Sequence, residues 1–306
     1  MVPFEDILLN NTSLLSPGSG PVCVLVGSSS SSSSSGGGGG TNDGIGIIGL
    51  ATLRAVLRHT SCPTIYLVAE GDHEGLHSLV AAVQSLNQSA TLVPIASTGD
   101  LARVSSAQDA AQAIVAADPP RVDILIMASS ATSARYYAPH MRILVTLLPL
   151  LRRARSPRVV SVLSAGGGGG RDASLLEMND VGMMTTLFFE HLARQPENDK
   201  IVLLRVDAGL DDVNVDEAGE RVLFAATNGR FRRVQDPERA VGTLIQQGSD
   251  GVLGSGVYLV NADSSVVAVI QEIQDSGGGD EEMDVDAARQ KVWEYTMGEL
   301  ERIERM

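Results

Sequence analysis

The chain has 306 residues with 23 basic and 37 acidic side chains, which gives a net charge of -14 at pH 7. So acidic a surface repels phosphate backbones and anionic lipid headgroups, so we expect no nucleic-acid partner and no membrane partner. The length suffices for one large α/β core.

Three features of the sequence favour a cytoplasmic protein. Cys23 and Cys62 are the two cysteines of the chain, too few for a disulfide framework. The first residues lack the basic segment and apolar core of a secretory signal. The longest apolar run, Ile143–Leu151, is far shorter than the roughly 20 residues that a membrane-spanning helix needs.

The first predicted unit is a strand, a glycine-containing turn and a helix. Val22–Val26 is an apolar strand pattern, and a Ser/Gly run over 28–40 separates it from Thr41 and a helical pattern that follows Gly46. Glycines at such a turn let the backbone approach a pyrophosphate bound at the helix N-terminus. Lengthening the turn from about four to about 16 residues costs only roughly 1.2 kcal/mol of closure entropy, so we expect the fold to survive the run.

The rest of the chain alternates strand and helix patterns. Apolar, β-branched runs predict further buried strands at Thr64–Ala69, Thr91–Ala96, Val122–Met127, Val159–Leu163, Ile201–Val206 and Val257–Val260. Helical spacing predicts helices near 76–86, 107–117, 139–152, 181–194 and 220–233, and a last amphipathic helix around Val292 to Ile303. This alternation predicts an α/β fold, a doubly wound parallel sheet of about seven strands with helices on both faces.

The predicted helix at 139–152 is apolar nearly all round. One face would pack on the sheet, and the other apolar face would need something else to shield it from water. We therefore expect a homo-oligomer that forms through this helix.

The order of elements and the residues at the strand ends resemble the short-chain dehydrogenase/reductase family, in a fungal branch often found in secondary metabolism. Gly40-Thr41-Asn42-Asp43-Gly44-Ile45-Gly46 is similar to the glycine motif of that family. The resemblance covers about Pro21 to Asn261 and implies a Rossmann-like fold with an NAD or NADP site. The implied cofactor-binding residues are Gly27, Gly40, Asn42, Gly44, Ile45, Gly46, Glu70, Asp100 and Ala128.

Two residues make specific predictions within this resemblance. Glu70 follows the second strand, where a carboxylate can bond a ribose 2′-hydroxyl but repels a 2′-phosphate, so NAD is favoured over NADP. Ser164 follows the fifth strand at the position of the catalytic serine of the family. His73 and His77 stand four residues apart without an apparent third ligand, so we predict no metal site.

The family's Tyr-x-x-x-Lys pair is absent. The matching positions are Ala173 and Glu177, no tyrosine occurs between Tyr137 and Tyr258, and the two lysines of the chain are Lys200 and Lys291. In the family the phenol exchanges the carbonyl proton, a contribution of about 10² to 10⁴ in rate. The resemblance therefore leaves the enzymatic status of the chain open.

Two functions follow from these observations. The first is a divergent homologue with lost or rerouted redox chemistry, which has a binding or non-redox role on a small apolar metabolite. The alternative is an NAD(P)-dependent oxidoreductase of fungal secondary metabolism with a non-standard proton donor. In either case we expect an N-terminal tail at 1–20, a Rossmann-type domain at 21–274 with the insertion at 28–40, and an acidic, Gly-rich linker with a C-terminal helix at 275–306.

Overall fold

The computed structural model describes residues 1–15, 20–28, 45–71, 73–97, 99–129, 134–163, 181–209, 214–235, 244–268 and 284–304. Within these ranges the strands are β1 (Val22–Ser28), β2 (Thr64–Glu70), β3 (Thr91–Ser97), β4 (Ile124–Ser129), β5 (Arg158–Leu163), β6 (Val202–Asp207), β7 (Val257–Val260) and β8 (Val266–Val267).

These strands form one sheet in the order β3-β2-β1-β4-β5-β6-β7-β8. The pairs from β3 to β7 are parallel, and β8 joins the edge of β7 in antiparallel orientation. Parallel strands need crossover helices, which the alternating pattern of the sequence supplies. The predicted doubly wound sheet is confirmed, and β8 adds one short strand to the expected number.

The described α-helices are α1 (Phe4–Thr12), α2 (Ile47–His59), α3 (His73–Gln84), α4 (Val104–Ala116), α5 (Tyr137–Arg152), α6 (Val181–Ala193), α7 (Val215–Thr227) and α8 (Val285–Glu304). None of these helices is both long enough and apolar enough to cross a membrane. The sheet has a hydrophobic core on each face. Residues of α4, α5, α6 and α8 fill one core, and residues of α1, α2, α3 and α7 fill the other.

The predicted N-terminal tail contains a packed helix. Ile7 of α1 is fully buried in the second core, and the Asn11 side chain donates hydrogen bonds to the backbone and the carboxylate of Glu220 in α7. A proline before the first turn and Glu5 with Asp6 inside it are ordinary helix-start signals. The segment 1–20 therefore contributes to the core, at least over 4–12. The boundary near 274 stays a prediction.

The helix predicted at 220–233 lies further towards the N-terminus. Asn214 caps α7 by accepting a hydrogen bond from the Asp216 N–H, and the helix ends at Thr227 before Asn228 and Gly229. Phe231 beyond that end is fully buried in the core. The prediction of this helix was wrong at both ends, because a side-chain cap and a buried aromatic residue outweighed the apolar spacing.

The C-terminal helix covers the face of α5 that points away from the sheet. The Tyr137 hydroxyl lies 2.7 Å from Thr296 Oγ1, and the Arg142 guanidinium donates to the Leu300 carbonyl at 2.5 Å. Pro149 is the single residue of α5 that is classed as exposed. A helix of the same chain thus packs on this face of α5, and self-association through 139–152 stays a prediction.

A buried ion pair fixes α8 on α6. The Arg289 guanidinium contacts Glu190 Oε2 at 2.5 and 3.0 Å, and both side chains are 4 % exposed. The other Glu190 oxygen accepts a hydrogen bond from Ser249 Oγ at 2.7 Å. Trp293 of α8 stacks on the His191 ring with centroids 4.4 Å apart. Charge pairing and aromatic packing therefore hold α8 on the domain together.

The junction of β1 and α2 depends on one apolar side chain between two glycines. Ile45 is fully buried. A Cβ on Gly27 would lie 2.3 Å from both Cγ1 and the carbonyl oxygen of Ile45, and a Cβ on Gly49 would lie 2.8 Å from the same Cγ1. The strand and the helix approach so closely that only glycine fits beside Ile45 without a shift.

Replacing Arg289 by Met should lower the free energy of unfolding by about 3 to 5 kcal/mol, because the Glu190 carboxylate would stay buried without its cation. The matched control is Arg302→Met on the same helix, where the pair with Glu299 leaves the arginine 68 % exposed. That control should cost less than about 1 kcal/mol. Urea denaturation followed by circular dichroism measures the free energy of unfolding of both variants. Equal losses of stability would contradict a special role for the buried pair of Arg289 and Glu190.

The two glycines beside Ile45 should respond differently to alanine. Gly27→Ala meets a backbone carbonyl and should cost about 1 to 3 kcal/mol of stability or more. Gly49→Ala meets only side-chain atoms and removes a glycine from a helix, a change worth up to about 1 kcal/mol in favour of alanine. Thermal unfolding of the two variants checks the order, and a Gly49→Ala variant less stable than Gly27→Ala would refute it.

Candidate functional site

The candidate site lies at the edge of the sheet where the parallel strands end. Gly27 near the end of β1 pairs in register with Ala128 of β4, and Ala128 is 2 % exposed. Ile45 and Gly46 follow on the same edge and lead into α2. In open α/β sheets ligands bind outside the carboxyl ends of the strands, at the point where the strand order reverses. Here that point is the β1–β4 boundary.

The N-terminus of α2 has the chemistry of an anion site. Gly46 precedes the helix with φ 75°, a left-handed conformation that favours glycine. Among the described residues no side chain caps this end, and the first turn contains no acidic residue. The first N–H groups of the helix and its dipole therefore remain suited to a phosphate. Ile47 is 61 % exposed beside them.

Three charged side chains meet at the same edge of the sheet. Glu70 ends β2, and its Oε1 accepts a hydrogen bond from the Leu101 N–H at 3.1 Å. Asp100 Oδ1 accepts from the Ala102 N–H at 2.9 Å, and Asp100 Oδ2 lies 2.7 Å from Arg135 Nη2. We call Glu70, Asp100 and Arg135 the charged trio. Its members come from the segments that follow β2, β3 and β4.

The electrostatics of the trio differ between its two carboxyl groups. Burial raises the pKa of Glu70, and the nearby Asp100 carboxylate raises it further, against the Leu101 N–H, which lowers it. The Ala102 N–H lowers the pKa of the Asp100 carboxyl, and Arg135 acts in the same direction. A hydrogen bond between the two carboxyl groups also raises the pKa of Glu70 and lowers that of Asp100. Glu70 is therefore a half-buried acceptor, whereas Asp100 is a charge already neutralised by its partner.

The structure tests the placement of only some predicted residues. It places six of them, Gly27, Ile45, Gly46, Glu70, Asp100 and Ala128, in the segments that meet at this edge. Gly40, Asn42, Gly44 and the predicted catalytic Ser164 lie outside the described residues. The role of each residue in binding stays a prediction. Gly27 has a packing reason of its own, since it makes room for Ile45.

The polar residues that the family would need for carbonyl chemistry do not lie at this edge in the part of the chain that is described. Lys200 is exposed just before β6, at the opposite edge of the sheet, and Lys291 is exposed on α8. The Tyr258 hydroxyl donates to the Arg232 carbonyl at 2.6 Å, and burial raises its pKa to about 12. Ala173 and Glu177, the positions that match the absent pair, fall outside the described residues.

Sequence reasoning missed Arg135. It follows β4 in a region that the sequence presents as a loop, and no motif distinguishes it from other surface arginines. The available signal was topological, because segments after neighbouring parallel strands converge at one edge. Elsewhere in the described ranges, no three His, Cys, Asp or Glu side chains come together as a metal ion would require.

The comparisons with known proteins identify one relative at substantial identity. The NmrA-like family domain-containing oxidoreductase notO of Aspergillus sp. (strain MF297-2) is 31% identical over 232 residues, which is 60% of this chain and 68% of the relative. No protein-family model matches the sequence.

Similar solved structures have low sequence identity. One is NADH-dependent reductase A1-R′ complexed with NAD, at 17% identity and a TM-score of 0.48, with 72% of this chain and 93% of that chain covered. Another is the short chain dehydrogenase from Shigella flexneri, at 12% identity and a TM-score of 0.45, with 71% and 87% covered. The family assignment rests on the Aspergillus relative, because the match has 31% identity and covers 68% of that protein. The chain therefore belongs to the short-chain dehydrogenase/reductase family, in the NmrA-like branch represented by that fungal oxidoreductase.

Proposed function

We propose that this chain binds an NAD-type dinucleotide at the carboxyl edge of β1 to β4 and that its ordinary carbonyl redox chemistry is lost or rerouted. The protein then has a binding or non-redox role on a small apolar metabolite. The observation that carries the proposal is the charged trio at the same sheet edge as the N-terminus of α2, which no side chain of the described residues caps. The chain also lacks the Tyr-x-x-x-Lys pair.

The residues present fit the adenosine half of a dinucleotide. The backbone N–H groups of the first turn of α2 suit a pyrophosphate. The Glu70 carboxylate suits the ribose hydroxyls, and Asp100 with the Leu101 and Ala102 backbone suits the adenine side. Binding NAD supplies a nicotinamide ring that can exchange a hydride. The residues of this chain would bind and orient the dinucleotide and exclude water from it.

Preference for NAD over NADP follows from the sign of the charge at Glu70. A carboxylate accepts hydrogen bonds from a ribose 2′-hydroxyl but repels a 2′-phosphate. Because Glu70 is half-buried, solvent screens this repulsion less than it would screen a fully exposed pair.

The Aspergillus relative favours one alternative. That relative is named as an oxidoreductase. The second candidate function is therefore a working NAD(P)-linked enzyme. Ser164 would then polarise the carbonyl, and water or the substrate itself would supply the proton that the family takes from tyrosine. Such an enzyme would lack a contribution of about 10² to 10⁴ in rate unless another group replaces it.

Calorimetric titration with NAD, together with an assay of NADH-dependent carbonyl reduction, tests the proposal. We expect saturable NAD binding and a reduction rate at least about 10² below that of a family member with an intact pair. Glu70→Ala should weaken NAD binding about tenfold or more, because a buried acceptor is lost. Glu74→Ala on the exposed start of α3 is the matched control and should leave binding unchanged.

Two results would decide against this function. Robust carbonyl reduction by the purified protein would establish the alternative. Absence of any binding at millimolar NAD and NADP would remove both dinucleotide functions and leave the sheet edge as a packing feature only.

A further inference from the structure

An ion pair crosses the candidate cofactor edge. Asp100 follows β3 and Arg135 precedes α5 after β4, yet Nη2 of the arginine is 2.7 Å from Oδ2 of the aspartate. In the sheet, β2 and β1 lie between β3 and β4. Three strand spacings amount to roughly 14 Å. The pair therefore passes over the ends of β2 and β1, next to Glu70.

Asp100 uses both carboxylate oxygens in this arrangement. One accepts the Ala102 N–H, and the other faces Arg135. Glu70 fixes the preceding amide of Leu101. The two acidic side chains thus accept hydrogen bonds from two consecutive backbone N–H groups. Arg135, the cation of the trio, forms an ion pair with Asp100. The side chains of Arg135 and Asp100 are 53 % and 44 % exposed, so solvent screens their attraction and a competing anion can reach the guanidinium.

A guanidinium binds phosphate through paired N–H groups and is the usual partner of a ribose 2′-phosphate in dinucleotide sites. Arg135 is close enough to lower the pKa of Glu70 by its charge. Arg135 is the single cation of the trio. Without Asp100, its charge would be available to a phosphate placed at Glu70. With Asp100 in place, a 2′-phosphate meets the acidic side chain of Glu70 and an arginine that is already neutralised.

We propose that Asp100 is a specificity-determining residue, which excludes NADP by neutralising Arg135 beside the ribose 2′ position. This inference rests on the proposed dinucleotide function and adds to it. Glu70 supplies the repulsion, and the Asp100–Arg135 pair withholds the cation that would offset it. Discrimination between the two cofactors then belongs to the trio and not to Glu70 alone.

A double-mutant cycle on the full chain tests this inference, with NAD and NADP affinities measured by calorimetry for wild type, Asp100→Asn, Arg135→Leu and the double variant. Asparagine keeps an oxygen that can accept the Ala102 N–H but removes the charge that neutralises Arg135. We expect Asp100→Asn to raise NADP affinity relative to NAD about tenfold, which corresponds to about 1.4 kcal/mol. In the double variant this gain should disappear, because Arg135 is its source.

The outcomes separate the inference from the function on which it rests. If wild type binds NAD but Asp100→Asn leaves the NAD to NADP ratio unchanged, the inference is overturned and the function stands. A gain that persists in the double variant also overturns it, since the gain would then come from loss of the carboxylate alone. Failure of wild type to bind either dinucleotide overturns both. Circular dichroism of the four proteins establishes that all are folded.

Discussion

The architecture of the site depends on the close approach of β1 and α2. Ile45 is fully buried against Gly27 and Gly49, and a Cβ on either glycine would lie within 3 Å of it. This contact fixes where α2 starts and hence where its first N–H groups lie on the sheet edge. The Ser/Gly run between Gly27 and Ile45 is compatible with the sheet, because closure entropy grows only slowly with loop length.

The two halves of the sheet edge differ in chemistry. Beyond β1 towards β3, Glu70, Asp100 and Arg135 form a connected charged cluster with defined backbone partners. On the other side, the Tyr137 hydroxyl is hydrogen-bonded to Thr296, the Tyr258 hydroxyl donates to the Arg232 carbonyl, and Lys200 lies at the opposite edge of the sheet. One fold can host many functions, because function depends on the residues of the site. The proposed binding half and the proposed reacting half of this edge can therefore change independently.

Sequence patterns predicted those parts of the fold that depend on periodicity. The strands and the alternation of helices follow from apolar runs, and the location of the site follows from the topology that they impose. Features set by tertiary contacts were missed. α1 packs through two buried residues, Ile7 and Asn11, too few for a clear stripe. The packing of α8 on α5 depends on residues 159 positions apart in the sequence, Tyr137 and Thr296. Arg135 reaches Asp100 because the segments after β3 and β4 converge at one edge of the sheet, although β2 and β1 lie between those two strands.

Amide hydrogen exchange with and without saturating NAD tests the central claim most directly, because it locates the ligand without relying on turnover. The account predicts slower exchange in the first turn of α2, over 47–50, and at 100–102, with no change along α8. Protection confined to α8 or to the opposite edge of the sheet, or no protection anywhere, would contradict it.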